Sequence, residues 1–272
     1  MPEKLSRSTR PTACVMAALI ISVSTAVFAA PADEKAQIKR AMPQGYLPAA
    51  QLPDSLALLP PPPPAGSAAF ARDEEVSRAM ARAPDSPRWR QAASDADLHP
   101  PVILSHFSCA AGFTADAKTT PTLDRLFVKA VVDIGLSTYR AKDKYQRVRP
   151  FVVHGNASCT PGDEKMLSTD GSYPSGHSAI GWGWALILAE IVPEHADAIL
   201  QRGRDFGQSR LVCNVHWASD VDAGRVIASA TVARLHADPA FEADLAAAKA
   251  EIARARPPAA SVCTSEASAL AD

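Results

Sequence analysis

The stretch that most restricts the fold of this chain begins at Gly176 and ends before Pro193. Its central part, AIGWGWALILAEIV, is apolar around the whole circumference of a helix. A helix with no polar face must be covered on every side, so we expect it in the middle of a helical bundle. From Thr120-Pro121 towards Tyr145, apolar residues recur at intervals of three and four, which predicts an amphipathic helix to pack against it.

Helical patterns continue through the rest of the chain from Asp73 onward. Ser86 and Pro87 occupy the positions typical of an N-cap and a first helical residue. After Pro193 we expect three further helices, in EHADAILQRGRDFGQSR, ASDVDAGRVIASATVARLHA and PAFEADLAAAKAEIARA. No strand alternation and no internal repeat stand out. The sequence therefore predicts an all-α, single-domain helical bundle over residues 73–272.

Residues 1–30 have the pattern of a secretory signal peptide. Three basic residues precede an apolar run from Ala13 to Phe28, which two alanines follow. That run is shorter than the roughly 20 residues of a membrane span, and small residues stand where a signal peptidase would cut. We therefore expect a periplasmic or secreted protein, with an uncleaved membrane anchor as the alternative.

Residues 31–72 carry the proline run Pro60–Pro64 and little helical periodicity. We expect this segment to form an extended N-terminal arm that packs on the surface of the helical domain. A ligand for a proline-recognition domain is the alternative.

The charge of the chain is nearly balanced, with 28 basic and 29 acidic residues. Without residues 1–30, which contain three basic residues and one acidic residue, 25 and 28 remain, a net charge of about −3. No overall positive field attracts nucleic acid or an anionic membrane, so we expect neither as a partner after signal cleavage. Any positive charge that matters must be local.

Four cysteines remain once Cys14 leaves with the signal peptide. An even number in an exported chain favours two disulfides, and four cysteines allow three connectivities. We favour Cys159 with Cys213, which lie close in sequence to the polar segments described next, leaving Cys109 with Cys263. None has the CxxC spacing of a structural zinc site.

Two polar segments contain candidate phosphate-binding residues. KDKYQRVRP places Lys142 and Arg149 near a helix end, where capping is the plainer interpretation. In YPSGHS, Ser175 has the position of a helix N-cap, Gly176 lets a backbone N–H approach a ligand, and His177 follows. Helix N-termini are common binding sites for phosphate.

A third segment, SRLVCNVHWASD, contains Arg210, His216 and Asp220. If it is helical from Val215 onward, His216 and Asp220 lie one turn apart, and the carboxylate can accept the ring N–H. That bond leaves the other ring nitrogen free to attack. Taken alone, the segment is better explained as a structural His–carboxylate pair, because structural ion pairs have the same pattern.

Together the three segments match the requirements of phosphoryl transfer. Lys142, Arg149 and Arg210 supply positive charge, while Ser175 and the Gly176 N–H bind oxygens. We expect His216 to attack phosphorus, His177 to protonate the leaving oxygen and Asp220 to orient His216, without a metal or other cofactor. The metal-based alternative is a zinc site formed by His177, His216 and Asp220, which three nearby cations oppose.

These motifs resemble a known signature. Lys142-x6-Arg149-Pro150, Pro174-Ser175-Gly176-His177 and Ser209-Arg210-x5-His216-x3-Asp220 match the three-part pattern of the type 2 phosphatidic acid phosphatase superfamily, which also contains the vanadium haloperoxidases. From about Gln51 to Ala250, the surrounding sequence is similar to the bacterial class A non-specific acid phosphatases. Ser178 stands where many relatives have threonine, and Cys109 and Cys263 are additional to the usual pattern.

The resemblance implies a periplasmic, helical and metal-independent phosphatase of small phosphate monoesters, with broad specificity, a phosphohistidine intermediate and a tendency to form homo-oligomers. It also implies His216 as nucleophile, His177 as general acid and then base, and Asp220 as the residue that orients His216. A vanadate-dependent haloperoxidase and a phosphate-binding module without turnover are the alternative functions. A lipid phosphatase with the same residues would normally have membrane helices.

Overall fold

The computed structural model describes residues 43–116 and 118–271, so the expected signal peptide and residues 31–42 of the expected arm lie outside the described residues. From Pro43 onward the chain is one compact unit. Within the described ranges the regular structure is helical, apart from one isolated bridge between Thr114 and Arg256. The prediction of an all-α fold is confirmed. The α-helices are α1 (Ser55–Leu58), α2 (Ala68–Met80), α3 (Pro87–Ser94), α4 (Pro100–Ser105), α5 (Ser108–Ala111), α6 (Pro121–Ser137), α7 (Tyr139–Tyr145), α8 (Pro150–His154), α9 (Glu164–Leu167), α10 (Gly176–Ile191), α11 (Ala196–Val212), α12 (Ala218–Leu235), α13 (Pro239–Ile252) and α14 (Ala260–Ala271); short 3-10 turns cover Ala49–Gln51, Pro161–Asp163 and Pro193–His195.

The apolar helix α10 lies at the centre of the bundle, as its sequence predicts. It packs against α6, α11 and α12. Gly183 allows the closest approach to α6, because a Cβ there would stand 2.5 Å from Cδ1 of Ile134. None of the helices in the described ranges combines the length and the apolar character needed to cross a bilayer.

The amphipathic helix expected to run from Pro121 towards Tyr145 is divided in two at Thr138. The hydroxyl of Thr138 donates a 2.7 Å hydrogen bond to the carbonyl of Gly135, an alternative to continuing the helical ladder. Ser55 from the N-terminal arm accepts a 3.0 Å hydrogen bond from the Ala141 N–H in the first turn of α7. Lys142, in the shorter helix α7, is buried.

The N-terminal arm is partly helical, which corrects the expectation that helix begins only at Asp73. Helix α2 begins at Ala68, because the hydroxyl of Ser67 caps its first turn by accepting the Phe70 N–H at 3.1 Å. The arm is attached to the bundle where Asp133 accepts the N–H of Tyr46 at 2.7 Å. The described part of the arm therefore packs on the domain. The boundary at residue 72 remains a prediction.

The last helix, α14, was not expected from the sequence, since ASVCTSEASALA consists of small and polar residues with no apolar stripe. It is joined to α5 by a disulfide between Cys263 and Cys109, whose Cα atoms are 5.3 Å apart. The second disulfide joins Cys159 to Cys213, with Cα atoms 4.7 Å apart. This is the pairing that the sequence favoured.

Candidate active site

His216 lies in the short loop between α11 and α12, and its ring contacts Arg149. Nη1 of Arg149 is 3.0 Å from Nε2 of His216. A guanidinium has only donors, so Nε2 must accept and the ring proton must reside on Nδ1. In this tautomer of His216, Nε2 carries the lone pair, and that lone pair accepts the hydrogen bond from Arg149.

The pairing of His216 with Asp220 differs from the sequence prediction. Helix α12 begins at Ala218, so His216 precedes it and the two residues do not share a helical face. Nδ1 of His216 is 3.5 Å from Oδ2 of Asp220, too long for an ordinary hydrogen bond, and has no hydrogen-bond partner within residues 43–116 and 118–271. The carboxylate instead caps the helix, accepting the N–H of Trp217 at 2.8 Å.

The second oxygen of Asp220 accepts a 2.6 Å hydrogen bond from Arg147, a residue that the sequence analysis did not select. Arg147 also donates to Asp73 at 2.7 Å and to the hydroxyl of Ser219 at 2.8 Å. Its guanidinium carbon lies 5.3 Å from the ring centre of Trp217. Arg147 therefore fixes Asp220 from the side opposite His216.

Lys142 and Arg149 share a pair of oxygen partners. The ammonium of Lys142 donates to the carbonyl of Gly171 at 2.6 Å and lies 3.6 Å from Oδ2 of Asp170. Nη2 of Arg149 lies 3.2 Å from the same carboxylate oxygen. Burial, and next the charge of Arg149, lower the pKa of Lys142 to about 8.

Arg210 is buried to 1% exposure and has no oxygen partner among the described residues. Its Nη1 lies 3.8 Å from the sulfur of Cys213, and its Nε has no hydrogen-bond partner. Burial, and next the charge of Arg149, lower its pKa to about 10. A buried guanidinium without a paired oxygen costs several kcal/mol, which an anionic ligand would offset.

His177, in the first turn of α10, is half-buried beside the carbonyl of Ala96. Its Nε2 lies 3.1 Å from that oxygen. A carbonyl only accepts, so Nε2 carries a proton and Nδ1 is the nitrogen left for a ligand. Burial lowers the pKa of His177 well below its usual value, and the charges of Arg210 and Arg149 lower it further.

The N-terminus of α10 is formed as the sequence predicts. Ser175 is the N-cap, and its hydroxyl accepts the N–H of Ser178 at 3.2 Å. Gly176 lies against Lys142, because a Cβ at position 176 would stand 3.9 Å from Cε of the lysine. The positive end of the central helix is thus next to the lysine ammonium group.

The structure brings the three predicted segments to one place. Burial lowers the pKa of His216 well below its usual value, and the charges of Arg149, Lys142 and Arg210 lower it further. The charge of His216 in turn contributes to lowering the pKa of His177. Both imidazoles therefore share one cationic environment, which disfavours the imidazolium form of each in the free protein.

The three residues of the zinc interpretation do not form a ligand set. Among residues 43–116 and 118–271, no group of three or more His, Cys, Asp or Glu side chains has a geometry that could hold a metal ion. His177 faces the Ala96 carbonyl, and Asp220 is occupied by Arg147 and the α12 cap.

Comparison with known proteins gives a consistent result. The model of the PAP2 superfamily matches residues 123–242. A non-specific acid phosphatase of Providencia stuartii is 44% identical over 240 residues, which cover 84% of this chain and 97% of that protein. An acid phosphatase of Zymomonas mobilis is 44% identical over 75% of this chain and 77% of its own length, and a non-specific acid phosphatase of Salmonella typhimurium is 44% identical over 61% and 67%.

The chain belongs to the non-specific acid phosphatases of the PAP2 superfamily. In this member of the family, every residue selected from the three motifs lies in or beside the cationic site. The residues that sequence reasoning missed are those that support the motifs from elsewhere. Arg147 gave a weak signal, since it lies two residues before Arg149 in KYQRVRP, whereas Asp170 and the Ala96 carbonyl gave none.

Proposed function

We propose that this acid phosphatase hydrolyses small phosphate monoesters of broad structure through a phosphohistidine at His216. The observation that carries the proposal is the contact of 3.0 Å between Arg149 and Nε2 of His216, beside a buried Arg210 that has no oxygen partner in the part of the chain that the structure describes. The lone pair of Nε2 thus faces the guanidinium of Arg149, whose own N–H groups are already held by nearby oxygens, while Nε of Arg210 has no hydrogen-bond partner among the described residues. A tetrahedral dianion fits both features.

In the first step, the phosphoryl oxygens bind Lys142, Arg149 and Arg210, and the N-terminus of α10 at Ser175 and Gly176 adds backbone donors. Nε2 of His216 attacks phosphorus, and the bond from phosphorus to the ester oxygen breaks. The electron pair of that bond goes to the leaving oxygen.

The leaving oxygen takes a proton from Nδ1 of His177, because Nε2 of that ring is held by the Ala96 carbonyl. In the second step the same Nδ1 removes a proton from water, which attacks phosphorus as the bond to His216 breaks. Inorganic phosphate leaves and His216 returns to the neutral form.

Burial lowers the pKa of His177 and so disfavours its imidazolium form in the free protein, which means that bound substrate must favour that form before His177 can donate a proton. A bound dianion reverses the field of the three cations and favours the imidazolium form of His177. Below about pH 6 the ester itself carries the required proton, since the second pKa of a phosphate ester is about 6. This is the physical reason to expect an acidic optimum.

Hydrolysis of p-nitrophenyl phosphate by the purified mature protein tests the proposal directly. Sustained turnover with release of phosphate is the expected result, and binding of phosphate without turnover would support the alternative of a binding module.

Bromide oxidation in the presence of vanadate and peroxide tests the haloperoxidase alternative. Activity that survives a chelator at millimolar concentration tests the expectation that no metal is needed, because the three cations supply the charge.

We also propose that the protein is exported to the periplasm, or secreted, as a homo-oligomer. The signal-peptide pattern of residues 1–30 and the paired cysteines support export. Cell fractionation, with N-terminal sequencing of the mature protein, tests the location and the cleavage site. Light scattering of the purified enzyme tests the oligomeric state.

A further inference from the structure

A buried carboxylate stands directly behind the contact that holds His177. Asp95 follows the last residue of α3, and the next residue, Ala96, provides the carbonyl that lies 3.1 Å from Nε2 of His177. Asp95 is completely buried. The position of the Ala96 carbonyl therefore depends on how the side chain of the preceding residue is held.

Both oxygens of Asp95 are fully engaged. Arg202 donates to them at 2.5 and 3.2 Å, in the two-pronged geometry that fixes a carboxylate in orientation as well as position. The hydroxyl of Ser209 donates to Oδ2 at 2.5 Å, and Gln91 donates to Oδ1 at 3.0 Å. Four hydrogen-bond donors are more than a carboxylate at a helix end requires. Because they hold the side chain of Asp95 in one position, they also restrict the backbone of the next residue, Ala96.

The same carboxylate reaches the other side of the site. Ser209 precedes Arg210 in α11 and belongs to the third motif, in which the sequence gave it no role. Its hydroxyl is also held by Arg88 at 3.0 Å. Asp95 thus joins the loop that contacts His177 to the helical turn that presents Arg210.

The C-terminal helix α14 completes the network. Nε of Arg202 donates to Glu266 at 2.6 Å, so this arginine lies between two carboxylates, Asp95 and Glu266. The disulfide between Cys263 and Cys109 holds α14 one turn away from Glu266. A helix that contributes no residue to the site is therefore linked to it through two ion pairs.

We propose that Asp95 is a positioning residue for His177, and that α14 supports it through Glu266 and Arg202. The inference rests on the proposed role of His177 as general acid. Asp95 fixes the Ala96 carbonyl, the carbonyl holds Nε2, and the ring then directs Nδ1 at the leaving oxygen. Loss of that alignment costs proton transfer, because a misplacement of about 1 Å is enough to reduce a rate by about 10²-fold.

The alternative is that the cluster around Arg202 only stabilises the fold, as many buried ion networks do. The two interpretations differ in one measurable property. A general acid matters most when the leaving group is poor, so a positioning role changes the ratio of kcat/KM for p-nitrophenyl phosphate to kcat/KM for phenyl phosphate. A role in stability alone lowers the melting temperature and leaves that ratio unchanged.

The experiment compares Asp95→Asn and Glu266→Gln with the wild type and with His177→Ala. Glu251→Gln is the matched control, because Glu251 is a partly buried carboxylate on α13 that accepts the N–H groups of Thr122 and Leu123 far from His177. We expect the ratio to rise by about 10-fold or more in Asp95→Asn and by about 3-fold in Glu266→Gln. In the control only the melting temperature should fall.

An unchanged ratio in Asp95→Asn, with His177→Ala showing a large rise, overturns the proposal and leaves the role of His177 intact. If Asp95→Asn does not fold, the ratio measured for Glu266→Gln decides between the two interpretations. Glu266 is partly exposed and contacts the buried cluster through Arg202, so its replacement disturbs the fold less. If His177→Ala itself shows no rise, the general acid has been misassigned and both proposals fail together.

Discussion

Nη1 of Arg147 lies 2.6 Å from Oδ1 of Asp220, closer than the imidazole that Asp220 was expected to orient, since Nδ1 of His216 is 3.5 Å from the same carboxylate. The primary partner of Asp220 in the free protein is therefore an arginine. Arg147 and the first turn of α12 hold the Asp220 carboxylate in place. His216 therefore lies beside a carboxylate whose position does not depend on the imidazole.

Replacement of Arg147 by methionine tests this relationship. The change leaves Asp220 and Asp73 without their shared cation, so we expect kcat to fall by about 10- to 100-fold through misalignment of His216. Steady-state kinetics with p-nitrophenyl phosphate measures the effect. Arg125→Met is the control, because Arg125 forms an exposed ion pair with Asp244 and such pairs contribute little. Equal kinetics in both variants would show that Arg147 has no part in catalysis.

Arg210 and Arg202 give opposite predictions for stability, although both are buried arginines. Arg210 has no oxygen partner among the residues that the structure describes, so Arg210→Met should raise the melting temperature of the phosphate-free protein and remove the further rise that phosphate produces in the wild type. Arg202 is paired with Asp95 and Glu266, so Arg202→Met should lower stability by about 3 to 5 kcal/mol.

Thermal unfolding with and without phosphate, followed for both variants, measures these effects. A lower melting temperature in the phosphate-free Arg210→Met protein would mean that this arginine is a structural cation rather than a ligand for an anion.

The pKa of Lys142, about 8, predicts an alkaline limit for substrate capture. The ammonium is charged below that pH and neutral above it, while the ester is a dianion throughout the range from pH 7 to pH 9. We therefore expect kcat/KM for p-nitrophenyl phosphate to fall as the pH rises through about 8. In Lys142→Gln, kcat/KM should be lower at pH 7, and the additional fall near pH 8 should be absent. An additional fall near pH 8 that persists in this variant would assign that titration to another group.

The close packing of α12 against the N-terminus of α10 depends on Gly224. A Cβ at this position would stand 2.6 Å from the carbonyl oxygen of Ser175, so Gly224→Ala must displace the turn that presents Ser175 and His177. We expect a loss of about 1 to 3 kcal/mol in stability and a larger proportional loss of kcat. Gly162→Ala, with nothing within 4 Å of the added Cβ, should match the wild type in urea unfolding and in kinetics. Similar behaviour of the two variants would contradict this packing argument.

The sequence predicted the elements whose physics is local. The central position of α10 follows from its apolar circumference, and the N-caps at Ser86 and Ser175 follow from side chains that bond to their own helix. The break at Thr138 was missed, because the arm residue that stabilises the new N-terminus, Ser55, is distant in the sequence.

The same distinction applies to the site. The site residues in the three motifs could be predicted from the sequence, because their types and spacings are typical of phosphate chemistry. The start of α12 at Ala218 agrees with the predicted helix, but the helical pair of His216 with Asp220 was wrong, since Asp220 caps Trp217 and is held by Arg147. The support from Asp95 and Glu266 was not predictable, because it joins α3, α11 and α14 only in the folded chain.

The covalent intermediate gives the most direct test of catalysis by His216. The wild type and His177→Asn are mixed with p-nitrophenyl phosphate, quenched within milliseconds in alkaline denaturant, and digested for mass spectrometry of the peptide that contains residue 216. We predict one phosphoryl group on His216, which accumulates in His177→Asn because its hydrolysis is slow. In His216→Asn the phosphoryl group should be absent, and turnover should fall by at least about 10³-fold. A phosphoryl group on another residue, or near-normal turnover by His216→Asn, would contradict the mechanism.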